Sequence, residues 1–178
     1  MNDDFANVLS EQHLCLFGQI VQCFAHYELT IARVLSNVGG TDLQAVLTLT
    51  QGTGFDDKRR ALLDLFRHRE IPLDRFDRVF ACLQVPHTYL PLLSAIEHSL
   101  WRKGAAEDSI QPDWLFAARR TVEPACADAG EPVGRFTALS ATPMQYTLKE
   151  LRGIANELMD SHRFFVTSLK EMDLLRPS

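Results

Sequence analysis

The sequence lacks the patterns that mark several classes of protein. None of its four cysteines, Cys15, Cys23, Cys82 and Cys126, forms a Cys-x-x-Cys pair, and all lie among apolar residues. This favours reduced, mostly buried thiols over a disulfide framework or a zinc site. The Glu-x-x-His pair found in metal-binding helical bundles is also missing. We therefore expect neither a bound metal nor a cofactor.

Excess positive charge and long hydrophobic runs are scarce as well. The 178 residues carry a net charge of −5, so nucleic-acid binding would require a local basic patch. The opening stretch MNDDFANVLSEQH is acidic and polar, unlike a signal peptide. By inspection, no apolar run approaches the roughly 20 residues that cross a bilayer. We expect a cytoplasmic protein with no membrane association.

What the sequence does contain is helical periodicity. Apolar residues from Leu14 to Val38 recur at three–four spacing, which predicts a helix over about residues 9–38. Ser10 suits its start, and the pair Gly39-Gly40 suits its end. A second such stripe runs from Leu148 to Met172, after a capping-box pattern formed by Thr147 and Glu150. These two segments predict the first and the last helix.

Shorter helices are predicted between them. Thr41 can cap a helix over 42–51, and a helix over 55–70 has acids in its first turn and bases in its last. Pro72 opens another helix that should kink or restart near Pro86 and Pro91 and resume to about Trp101. Residues 102–146 change character: 102–113 are predicted as a loop, and 114–124 and 133–141 as short strands or irregular arms.

The sum is an all-α fold. We predict an antiparallel four- to five-helix bundle with a short irregular or β-hairpin excursion before the last helix, forming a single domain over residues 1–178.

Ionisable residues interrupt the apolar stripes. Glu28 and His162 each stand where a hydrophobic residue is due, and Glu97 occupies a stripe position beside His98. Because an unpaired buried charge is costly, these groups should find partners or reach solvent. Glu28 either lies at the rim or is held inside the bundle, or at a dimer seam, by a histidine or arginine. His162 is either a core or interface histidine with satisfied nitrogens or part of a site.

Helical geometry limits the remaining candidates. Glu97 and His98 lie about 100° apart on a helix, so at least one of them should point outward. Ser94 stands one turn before His98, a spacing that would suit a nucleophile and its base but that often arises by chance. The bases Lys58, Arg59, Arg60, Arg67 and Arg69 predict a basic helix face, which is usually solvated and only sometimes contacts RNA.

The order of elements and two motifs resemble the HEPN superfamily, the higher eukaryotes and prokaryotes nucleotide-binding domains. The first helix, LFGQIVQCFAHYELTIARVL, is similar to bacterial members in which a glycine and then a glutamate lie on the opening helix; Gly18 and Glu28 match them. The segment IEHSLW resembles the family's arginine–histidine segment, with His98 at the histidine position and Trp101 at the tryptophan position. The closing segment YTLKELRGIANEL is similar to the family's last helix.

One departure affects what the resemblance implies. In active family members an arginine and the histidine cut RNA together, but Leu93 stands five residues before His98, where the arginine should be. A histidine can transfer protons near neutral pH, and an arginine grips phosphate in a fork; leucine does neither. The resemblance therefore implies an inherited site without its chemistry; in an active protein, His98 would be the catalytic acid–base group, with Glu28 or an arginine in support.

Three functions remain open. The first is a non-catalytic HEPN-like binding or regulatory homodimer, with Ser94, Glu97, Trp101, Arg102 and His162 contributing to a binding site and a local patch contacting RNA or a nucleotide. The second is a metal-independent ribonuclease of a toxin or phage-defence system. The third is an unrelated helical-bundle interaction protein. In the HEPN-like homodimer, the dimer seam would be built from the first helix and the IEHSLW helix.

Overall fold

The computed structural model describes residues 8–113 and 144–175. Its first helix, α1, spans Glu11–Gly39. Ser10 caps it through a capping box with His13, and the chain leaves it at Gly40, whose φ of 68° lies in the left-handed region that favours glycine. The predicted helix over 9–38 is confirmed with small shifts at both ends.

Four shorter helices follow: α2 (Leu43–Leu49), α3 (Phe55–His68), α4 (Leu73–Thr88) and α5 (Leu90–His98). The cap predicted for α2 is wrong, since the Asp42 carboxylate, one residue after Thr41, accepts from the Ala45 N–H at 3.1 Å. An aspartate at this position also complements the positive end of the helix.

The prolines act as predicted. Pro86 lies inside α4, which ends two residues later, and Pro91 stands in the first turn of α5, where its missing N–H costs nothing. The restart near these prolines is therefore confirmed.

A small antiparallel sheet comes next, in the strand order β1 (Leu100–Lys103), β2 (Ser109–Asp113), β3 (Tyr146–Thr147). The predicted helical end near Trp101 is wrong, because Ser99 takes an extended conformation and ends α5. The loop predicted over 102–113 is also wrong, since β1 and β2 form a hairpin there. The strands or arms predicted over 114–124 and 133–141 lie outside the described residues.

The last helix, α6, spans Leu148–Glu171 and begins with the predicted capping box of Thr147 and Glu150. It packs on α1 and α4, and α1 also packs on α3. Aromatic rings fill the centre of this arrangement: Tyr27 stacks on Phe165 and meets Phe55 edge-on, as does Phe24. The all-α bundle with a hairpin before its last helix is thus confirmed.

Among the described residues, one stretch is long and apolar enough to cross a bilayer by length and composition. It runs from Leu73 to His98, with a mean hydropathy of 1.4 over its most apolar window, and one third of that window is buried. A core helix of a soluble bundle passes the same test. The expectation that no apolar segment reaches this length is therefore wrong, and a cytoplasmic location without membrane association stays a prediction.

Candidate functional site

The end of α5 carries three of the sequence-predicted site residues. Ser94 is partly buried, whereas both Glu97 and His98 are exposed. The His98 Nε2 lies 3.6 Å from a Glu97 carboxylate oxygen, and the two side chains are 49% and 46% exposed. The stripe position predicted for Glu97 is therefore not a core position, because the helix turns both polar side chains outward at its last turn.

The residues flanking this end divide between core and surface. Leu93, which stands where the resemblance to the HEPN superfamily leads us to expect an arginine, is only 8% exposed and lies in the hydrophobic core. Trp101 is buried on β1, with its ring centroid 4.7 Å from that of Phe17. Arg102 follows it, exposed, opposite Gln111 on β2. Trp101 thus anchors the hairpin to α1 and does not present a binding surface.

Glu28 reaches the rim of the bundle and pairs with a lysine. Its carboxylate lies 2.5 Å from the Lys58 ammonium on α3, and the two side chains are 29% and 12% exposed. The alternative in which a histidine or arginine holds this carboxylate inside the bundle is wrong for the single chain. A partly buried charge destabilises the fold less when it has one well-placed partner of opposite charge than when it has none.

Glu28 and the hairpin that follows His98 contact α1 at different levels. Trp101, three residues beyond His98, packs against Phe17, and Glu28 lies eleven residues further along α1. At 1.5 Å per residue this separates Glu28 from Phe17 by about 16 Å along the helix axis. Glu28 pairs with Lys58, and His98 lies beside Glu97.

His162 lies in the contact between helices α1 and α6. Its Nε2 lies 3.1 Å from the Thr30 hydroxyl, and its ring meets those of Tyr27 and His26 at centroid distances of 4.9 and 5.8 Å. Burial lowers the pKa of His162, and the neighbouring His26 lowers it further, whereas a hydrogen bond to the His26 backbone opposes both. The imidazole is therefore held mostly neutral where α1 meets α6.

Sequence reasoning missed a charged cluster between α3 and α4. The Asp56 carboxylate accepts from Arg59 and from Arg60, and the His87 Nδ1 lies 3.2 Å from it. Partial burial raises the pKa of Asp56, but the hydrogen bonds from Arg59 and Arg60 outweigh it, so the pKa is lowered. Spacing within α3 could have indicated the two arginine pairs; His87 comes from another helix and left no sequence signal.

A cavity at the start of α1 was also missed. It has a volume of about 620 Å³ and lies between the first turn of α1, the β1–β2 hairpin and the start of α6. Its lining includes Ser10, His13, Lys103 and Asp108. The polar side chains at this end converge because the hairpin folds back over the α1 cap.

His13 is the most constrained of these residues. It is 5% exposed, and its Nδ1 accepts from the Ser10 N–H at 3.2 Å and lies 2.8 Å from the Ser10 hydroxyl. Its Nε2 is buried and has no hydrogen-bond partner within the described part of the chain. Burial lowers the pKa of His13, and the charge of Asp108 partly opposes this. A buried polar group without a partner costs about 1–3 kcal/mol.

The exposed face of α1 carries a strip of apolar residues beside its polar ones. Leu14, Val21 and Leu29 are 55%, 37% and 38% exposed, and Gly18 and Ala25 complete the stripe at helical spacing. Between Gln12 and Ala32 the helix carries one acidic or basic residue other than histidine, Glu28, which is paired with Lys58. We call Leu14, Gly18, Val21, Ala25 and Leu29 the outer stripe.

The described residues contain no group of three or more histidine, cysteine or acidic side chains arranged to hold a metal ion. Of the cysteines within those ranges, Cys23 and Cys82 are buried and Cys15 is exposed, and all three are free thiols. No protein-family model, curated protein or solved structure matches the chain.

Proposed function

We propose that this protein is a non-catalytic, HEPN-like helical binding or regulatory protein that acts as a homodimer through the outer stripe of α1. The observation that carries the proposal is the stripe itself. Three large aliphatic side chains remain more than one third exposed along a helix whose opposite face forms the core. Exposed apolar surface in one continuous strip marks an interaction site more often than scattered hydrophobic residues do.

The chemistry of the stripe favours a second copy of the chain as the partner. In a two-fold dimer the same patch lies on both subunits, so any unpaired charge would face its own copy. The outer stripe contains no charged residue, and Gly18 and Ala25 allow two helix backbones to approach closely. Two copies of the outer stripe can therefore pack against each other without bringing like charges together.

The size of the stripe indicates that neighbouring elements extend the seam. The outer stripe extends from Leu14 to Leu29, about 22 Å along a helix about 10 Å wide, which offers roughly 220 Å² per subunit, whereas stable dimers bury about 800 Å² per subunit or more. Leu100 on β1 is 47% exposed and adjoins Trp101, which packs on α1. The end of α5 and β1 would supply the remaining area.

The absence of catalysis is supported by positions 93 and 98. Leu93 lies in the core, and His98 lies about 140° away around α5 on an exposed surface. Leucine at position 93 offers no guanidinium that could hold a phosphate group beside His98. We expect the protein and its His98→Ala variant to leave a panel of RNAs equally intact; cleavage lost in the variant would restore the ribonuclease alternative.

Sedimentation equilibrium tests the dimer. The change Val21→Glu places like charges opposite each other across the proposed seam and should weaken association at least tenfold, as should Leu14→Glu. The matched control is Leu49→Glu, at a residue that is 78% exposed on α2. A monomeric wild-type chain, or equal effects of all three changes in well-folded variants, would overturn the proposal.

A further inference from the structure

Two opposite charges bracket the outer stripe of α1. Glu11 stands three residues before Leu14, and Arg33 stands four residues after Leu29. About 33 Å of helix separates the two charged residues. Both are exposed, and neither takes part in an ion pair within residues 8–113 and 144–175. Each of them is therefore open to pairing with a charge on another molecule.

Both charges lie on the side of the outer stripe that faces α6. At about 100° per residue, Glu11 and Arg33 are displaced from the middle of the stripe by about 40° and about 80° in the same rotational direction. Thr30, whose hydroxyl contacts α6, marks that direction, and Glu28, which pairs with α3, marks the opposite one. The two charges thus lie along one edge of the stripe, at its two ends.

The stripe is nearly the same in side-chain size from either end. Its ends are Leu14 and Leu29, the small residues Gly18 and Ala25 lie inside them, and Val21 lies at the centre. If two copies of α1 pack antiparallel about a two-fold axis beside Val21, each Leu14 meets Leu29 of the partner subunit, and each Gly18 meets Ala25 of the partner subunit. A Cβ on Gly18 would meet nothing within 4 Å in its own chain, so this position is open to a partner.

We propose that the two α1 helices of the homodimer pack antiparallel, so that Glu11 of each subunit pairs with Arg33 of the partner subunit. This inference rests on the homodimer proposed above. Away from the two-fold axis, a residue meets a different residue of the other copy, and an axis perpendicular to the helices keeps the α6 side of the stripe on the same side in both subunits. Positions 11 and 33 then meet along that edge, level to within about 1.5 Å.

The packing geometry and the charges agree with this orientation. A shallow crossing of about 20°, common where helices pack lengthwise, keeps both ends of the seam within reach of an arginine side chain. A parallel pair would instead gather the two Glu11 carboxylates at one end of the seam and the two Arg33 guanidinium groups at the other. Antiparallel pairing neutralises both ends.

Charge reversal tests the orientation. Glu11→Arg and Arg33→Glu each place like charges at both ends of an antiparallel seam, so each should weaken the dimer about tenfold in sedimentation equilibrium at low salt. The double variant Glu11→Arg/Arg33→Glu restores opposite charges and should return to within about twofold of the wild type. The matched control is Asp77→Arg, at an exposed residue of α4, which should leave the dissociation constant unchanged. Circular dichroism checks that each variant folds.

Mixing chains separates antiparallel from parallel pairing. An antiparallel heterodimer of the wild type and the double variant brings carboxylate to carboxylate and guanidinium to guanidinium, so the two chains should sort into homodimers. A parallel heterodimer of the same chains would bring opposite charges together and should form in preference. Native mass spectrometry of chains with different tags measures the heterodimer fraction, which should lie well below that of random pairing.

Three results with a dimeric wild type would overturn the antiparallel pairing: folded single variants that associate as the wild type does, a double variant as weak as the single ones, or heterodimers at or above the random fraction. Each of these results leaves the dimer through the outer stripe standing. A monomeric wild type would overturn the homodimer and this pairing together, which makes the two failures distinguishable.

Discussion

Burial of His162 makes the stability of the protein sensitive to mild acid. Its pKa is lowered by burial and by His26, so between the lowered value and the ordinary value near 6.5 the unfolded chain binds more protons than the folded one. The contribution of the neutral His162 to the unfolding free energy is then fully present above about pH 6.5 and is lost as the pH falls through this window.

We expect His162→Gln to reduce the loss of unfolding free energy between pH 7.5 and pH 5.5, as measured by urea denaturation. The control is His68→Gln, at an exposed residue near the end of α3, which should retain the wild-type dependence. An unchanged slope in His162→Gln would contradict the environment described for this residue.

The Glu28–Lys58 pair should contribute measurably because Lys58 is mostly buried. Glu28→Gln leaves the ammonium of Lys58, whose side chain is 12% exposed, without its carboxylate and should cost about 1–2 kcal/mol of unfolding free energy. Adding Lys58→Met should recover part of that loss. The control is Arg163→Gln, which breaks an exposed pair with Asp160 and should change stability by less than about 0.5 kcal/mol.

Single residues were only partly predictable from the sequence. The interruption of the α1 stripe at Glu28 indicated a polar group at the edge of the core, but its partner lies 30 residues away on α3, and helical periodicity carries no information about pairing between helices. His13 shows the same limit, since its buried Nε2 depends on how the hairpin folds over the first turn of α1.

Gly104 in the hairpin and Gly153 in α6 differ in the space available for a side chain. A Cβ on Gly104 would lie 2.3 Å from the buried Ser109 hydroxyl oxygen and 3.0 Å from the Gln145 side chain, whereas one on Gly153 in α6 would meet nothing within 4 Å. Gly104→Ala should therefore lower the unfolding free energy by about 1–2 kcal/mol.

Gly153→Ala should raise the unfolding free energy by about 0.5–1 kcal/mol, because alanine loses less conformational entropy in a helix interior. Denaturation of both variants under one condition measures the contrast. Equal effects in the same direction would show that the close approach at Gly104 does not constrain the hairpin.

Helix ends were predictable where capping chemistry is local. Ser10, Gly40 and the Thr147–Glu150 pair act within one turn, so the sequence indicates them directly. The end of α5 was predicted too late because Leu100 and Trp101 continue the apolar pattern of the helix. What turns them into a strand is tertiary: Trp101 packs on Phe17, and its backbone pairs with β2.

Taken together, the elements form a bundle in which α1 is a central helix. Its buried face packs on α3 and α6, and its exposed face carries the outer stripe beside polar residues. A contiguous strip of exposed apolar residues marks a surface that a partner covers. Fold class followed from periodicity alone, but the outer stripe could be recognised only once the core face of α1 was known.

The most direct test of the dimer examines contacts of the outer stripe between two protein chains. Methyl-labelled and unlabelled chains are mixed, and isotope-filtered NOEs are recorded from the methyl groups of Val21 and Leu29, with Leu49 as the exposed reference. The proposal predicts NOEs from Val21 and Leu29 to the unlabelled chain and none from Leu49. The absence of intermolecular NOEs at the stripe, or their appearance at Leu49 alone, would contradict it.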